Sequence, residues 1–182
     1  MTSRDAAAPA AVAGALRAIV IFERALTTGA FATLVAVIFA DVLWRWTTGS
    51  GIFWAREVGV FANIVLTIIG IGLASADGTH LRPRFFDRLF PASWDRTLTR
   101  IQELLTALAF AALCWIASRV LAETMALEDR SIVLRWVVWP IQIVLPLAFG
   151  LASLRHACFG IWLGLRPAER SEADVEAPAV RP

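Results

Sequence analysis

Apolar residues fall into four long runs, at about residues 25–42, 58–76, 104–118 and 132–154, and arginine clusters at their edges. A run of roughly 20 apolar residues rising ~1.5 Å each matches the ~30 Å hydrocarbon core of a bilayer. In lipid, only a helix or a closed barrel satisfies its own backbone hydrogen bonds. The pattern therefore predicts an all-α membrane protein with four transmembrane helices. The second run, VGVFANIVLTIIGIGLASA, has 19 residues without a charge. The third has 15 before Arg119, whose guanidinium can reach the headgroups while its stem stays in hydrocarbon, so that residues 120–122 add length.

Between the second and third runs, Leu81, Phe85, Phe86, Leu89 and Phe90 recur at helical spacing, with Arg82, Arg84, Asp87 and Arg88 on the opposite face. Pro83 is tolerated in a first turn and Pro91 ends the segment. This predicts an interfacial amphipathic helix lying on the cytoplasmic leaflet or against a partner. Ser93 is then placed to cap the third helix, with Trp94 at headgroup depth.

Orientation follows from arginine, because short arginine-rich loops stay cytoplasmic. Twelve fall on one side: Arg4, Arg17 and Arg24 at the N-terminus, Arg82, Arg84, Arg88, Arg96 and Arg100 in the central loop, and Arg155, Arg166, Arg170 and Arg181 at the C-terminus. The other side holds Arg45, Arg56, Arg119, Arg130 and Arg135, accompanied by Glu57, Glu123, Glu128 and Asp129. Both termini are expected inside. Residues 1–16, alanine-rich with Pro9 and Gly14, and residues 166–182, mixing Pro, Ala, Glu and Arg, read as flexible tails around a membrane domain at 17–165. The first run is longer than a signal-peptide core and lacks a small-residue cleavage site, so it reads as a retained helix.

Composition narrows the class. With 58% hydrophobic residues and a mean hydropathy of +0.67 over 182 residues, no soluble domain of ordinary size fits beside the membrane domain. All 17 basic residues are arginine, and a scattered net charge of +2 does not suggest nucleic acid. Nothing resembles a catalytic triad, a P-loop or a zinc cluster, so no enzyme activity, cofactor or metal is expected.

The candidates for chemistry are few. His80 and His156, the two histidines, make a bis-histidine haem between the second and fourth helices a conceivable rival. Cys114 and Cys158 read as buried apolar thiols at different depths. Asp41 and Arg45 are four apart and can pair on one helix face. Alternatively, Arg45 and Glu57 fix the connection 47–54 or pair with another subunit. Pro140 and Pro146, with Gln142 between them, predict a bend in the last helix. Gly59, Ala62, Gly70 and Ala74 offer close approach to the second helix, where Asn63 can hydrogen-bond across a contact.

Read in order, these residues carry a resemblance. Arg45 and Trp46 end the first helix, Trp54 precedes Glu57 by three at the start of the second, Gly70 and Gly72 mark its far end, and His80, Leu81 and Arg82 follow. The stretch resembles the signature of the small membrane subunit of tripartite ATP-independent periplasmic (TRAP) transporters, the DctQ-like family. Trp46 stands where a tyrosine is more usual, and Pro83 and Arg84 replace the usual valine and aspartate. The resemblance extends over about residues 17–165. It implies a multi-pass protein of the bacterial inner membrane, paired as a heterodimer with a large membrane subunit. The large subunit would take up an organic acid, driven by an ion gradient, usually sodium, after delivery by a periplasmic binding protein. This chain would be a scaffold with no substrate site of its own, and Arg45, Trp46, Trp54, Glu57, Gly70, His80 and Arg82 would be interface or structural residues.

Overall fold

The computed structural model describes residues 9–76 and 94–166. Helix α1 spans Ala10–Thr48, α2 Ala55–Ala76 and α3 Asp95–Ala126; a short α4, Trp139–Gln142, leads into α5, Val144–Ile161, and a 3-10 turn at Leu163–Leu165 follows. Among the described residues there is no strand, only an isolated bridge between Arg130 and Val137. Four helical segments, the fourth being α4 with α5, are long and apolar enough to cross a membrane. At ~1.5 Å per residue, the 39 residues of α1 measure about 58 Å, nearly twice the hydrocarbon core. The helix takes in residues 10–16 of the segment expected as a tail. The expected interfacial helix at 81–90, and residues 167–182, lie outside the described residues.

The helices pack as two hairpins, α1 with α2 and α3 with α5, joined along α2 and α5. The buried apolar residues are mostly alanine, with only Ile69 and Phe159 larger, so the helices approach closely through small side chains. Large side chains such as Phe31, Phe39, Leu108 and Trp115 point outward. This distribution leaves apolar surface facing the surroundings, which suits lipid rather than water. Gly59 packs on Ile38 and Leu34 of α1 and Ala62 is buried, whereas Gly70 has open space where a side chain would stand. The small residues of α2 thus divide between an internal face and an outward one, and do not form the single face the sequence suggested.

One helix boundary differs from the sequence reading, and the Ser93 cap expected for α3 lies outside the described residues. The fourth apolar run is not helical from residue 132: residues 131–138 form a turn-rich loop, and the helix begins only at Trp139, with proline in its first turn. Arg135 holds a positive φ of 57° in that loop, a conformation no α-helix contains. Helices α4 and α5 meet at Ile143, between Pro140 and Pro146, where a bend was expected; its backbone stays in the right-handed helical region (φ −58°, ψ −22°). Pro146 supplies no N–H to the first turn of α5, and the Cys114 thiol donates to its carbonyl at 3.2 Å, tying α3 to α5.

Candidate functional site

Polar side chains gather in two layers, one at each end of the bundle. At the end where α1 meets α2, Gly49 closes α1 in the left-handed region (φ 77°), its N–H donating to Arg45 O at 2.9 Å. Asp41 organises the turn that follows, accepting from Arg45 Nη2 at 2.8 Å and from the Ile52 N–H at 2.6 Å. A Cβ at Gly51 would lie 2.8 Å from Arg45 Nη2 and 3.0 Å from Asp41 Oδ1, so a side chain there would have to displace the pair. The i,i+4 reading of Arg45 therefore holds. Glu57 does not fix the 47–54 connection; it reaches the other hairpin, accepting from Leu134 N–H at 2.6 Å and Val133 N–H at 3.4 Å. It thereby satisfies two N–H groups of the 131–138 loop, which is also closed by Ser131 N–H to Trp136 O and Val138 N–H to Asp129 O.

Trp54 starts α2 through its carbonyl, which accepts from the Glu57 and Val58 N–H groups. Trp46 stands 87% exposed at the end of α1, the habit of an aromatic at a membrane–water interface. His80 and Arg82 lie outside the described residues.

The second layer was not anticipated. Glu23 is 2% exposed and Arg155 1%, and the Arg155 Nη2 donates to Glu23 Oε2 while Nη1 donates to the Gly72 carbonyl at 2.5 Å. Glu23 Oε1 and Arg155 Nε have no hydrogen-bond partner among the described residues, so the pair makes one of its two available contacts. Gly72 lets the carboxylate in, since a Cβ there would sit 3.1 Å from Glu23 Oε1. The neighbouring residue on α5 faces α3, the partner helix of its own hairpin: His156 Nδ1–H donates to Glu103 Oε2 at 2.7 Å, and Arg166 Nε forms an ion pair with Glu103 Oε1 at 3.2 Å. The His156 ring stacks on Phe110, centroids 5.6 Å apart, and meets Phe159 edge-on at 6.1 Å. From Val42 to Glu23 is about 28 Å along the helix, so this layer sits at the opposite edge of the hydrocarbon from Asp41 and Arg45. Consecutive residues thus tie α5 in two directions at one depth, Arg155 to the α1–α2 hairpin and His156 to α3.

This corrects the arginine tally, because Arg155 is inside the bundle rather than in a loop facing water. It also leaves the haem reading without support: the His156 imidazole is committed to Glu103 and an aromatic stack, and His80 lies outside the described residues. One signal for the inner layer was visible: Arg155 is the one charge within the apolar fourth helix, where a charge needs a partner.

The fold and its two polar layers define a multi-pass helical membrane protein whose interior charges are spent on holding helices together. Residues 34–163 match the family described as tripartite ATP-independent periplasmic transporters, DctQ component, and the chain belongs to that family. It is similar to the ectoine TRAP transporter small permease protein TeaB of Halomonas elongata, with 27% identity over 120 residues, 64% of this chain and 61% of that one. The chain thus matches about three-fifths of that relative's length. Glu103, Arg155 and His156 fall within the family match, and Glu23 precedes it.

Proposed function

We propose that this chain is the small permease subunit of a TRAP transporter and scaffolds a large membrane subunit during uptake driven by an ion gradient, sodium being the expected ion. The observation that carries the scaffold role is the inner charge layer. Its groups are buried and engaged in ties between helices, which suits a rigid frame and leaves substrate and coupling ion to the partner. The substrate class proposed is an organic acid brought by a periplasmic binding protein. The related TeaB is named for an ectoine transporter. Deleting this chain should abolish uptake of the cognate substrate while the large subunit remains expressed, and supplying it in trans should restore uptake. Undiminished uptake by the large subunit and binding protein alone would overturn the reading.

The orientation proposed has both termini in the cytoplasm of a bacterial inner-membrane protein, with residues 81–90 as an interfacial helix on that side. Setting Arg155 aside, eleven arginines against five still favour it. Reporter fusions at Arg88 and at the C-terminus are expected to report cytoplasm, and one at Asp129 periplasm. A periplasmic signal at Arg88 would reverse the topology.

A further inference from the structure

Helix α2 presents one outward stripe that hydrocarbon does not suit. Arg56, Val60, Asn63, Thr67 and Ile71 recur three or four residues apart and are all exposed. Asn63 and Thr67 lie about 12 and 18 Å along the helix from its start at Ala55, near mid-depth of a ~30 Å core. Asn63 has no side-chain hydrogen-bond partner among the described residues. An amide there is costly against lipid tails, and packing against another helix with a hydrogen-bonding group offsets that cost.

The stripe runs at its outer end into an open cleft of about 630 Å³ lined by Asp41, Arg45, Arg56, Glu57, Val60 and Ile132. Both carboxylates of this cleft are taken: Asp41 by Arg45 and the Ile52 N–H, Glu57 by the loop N–H groups. Arg56 makes no close ion pair among the described residues; its charge acts on Asp41 across the cleft, but that carboxylate is held by Arg45 and the Ile52 N–H. We propose that this stripe and cleft seat a transmembrane helix of the large subunit, one carrying a hydrogen-bonding side chain at mid-depth and a carboxylate at its outer end. The proposal rests on the small-subunit reading above. A second copy of this chain fits less well, because a two-fold axis along the membrane normal brings Arg56 of each copy to the same level. Lipid tails leave the Asn63 amide unpaired.

The test is a photoreactive residue placed at position 63 in the co-expressed complex, with position 108, 67% exposed on α3, as control. A covalent adduct to the large subunit from position 63 and none from 108 is expected. In parallel, Arg56→Glu should weaken association about tenfold, a change of ~1.4 kcal/mol, while Arg56→Lys retains it. Adducts from position 63 only to lipid or to a second copy, together with unchanged association of Arg56→Glu, would overturn the seat. If the large subunit fails to co-purify with the unsubstituted chain, the small-subunit reading falls and the seat with it. If it co-purifies and only position 63 is silent and Arg56→Glu neutral, the seat alone falls.

Discussion

Arg155→Leu is expected to destabilise the bundle by about 3–5 kcal/mol, because it strands the Glu23 carboxylate in a site that is 2% exposed. Glu23→Leu should cost a similar amount by stranding the guanidinium. The double replacement Glu23→Leu/Arg155→Leu should regain most of the loss, since desolvating two charges consumes much of what their attraction returns. The pair makes only one of its two available contacts, with Glu23 Oε1 and Arg155 Nε left over, which weakens the return further. Thermal unfolding of the purified protein in detergent, run as a double-mutant cycle, measures this. Additive losses, with the double variant as unstable as the sum of the singles, would show that the two residues do not act as a pair.

At the other face of α5, Glu103→Leu should cost about 3 kcal/mol, because it removes the acceptor shared by His156 Nδ1 and Arg166 Nε. His156→Phe should cost less, about 1–2 kcal/mol: the ring keeps its stacking against Phe110 and Phe159, and Arg166 still neutralises Glu103. The order of the two losses in the same unfolding experiment is the discriminating result. Equal losses would mean that the imidazole, rather than the carboxylate, is the centre of this tie.

Both predictions concern residues whose partners the sequence did not disclose. Asp41 and Arg45 were legible as a pair because they are four apart, and helical spacing alone brings them to one face. Glu23 and Arg155 are 132 residues apart, and Glu103 and His156 are 53 apart. Their meeting depends on the depth and rotation of three separate helices, which no local period records. Arg155 was consequently counted with the arginines that face water. Glu57 was likewise read within its own hairpin, although its acceptors' partners, Val133 and Leu134, lie more than 70 positions along the chain. Ile132, 88% exposed, likewise belongs to a loop that long-range and turn hydrogen bonds close, although its neighbours are as apolar as those of a spanning helix.

The sequence by itself determined the number of spanning helices and the class of environment, because each follows from properties read within about one turn or one bilayer thickness of chain. It also carried the family, through residues in fixed order around the first hairpin. The tertiary structure alone decided which small residues of α2 face inward, where the fourth helix starts, and that Arg155 ties α5 to the α1–α2 hairpin while the adjacent His156 ties it to α3. Those outcomes depend on how helices are rotated against one another. In lipid that rotation is selected by close packing of alanine and glycine and by the need of each buried charge for a partner, neither of which is a property of any single segment.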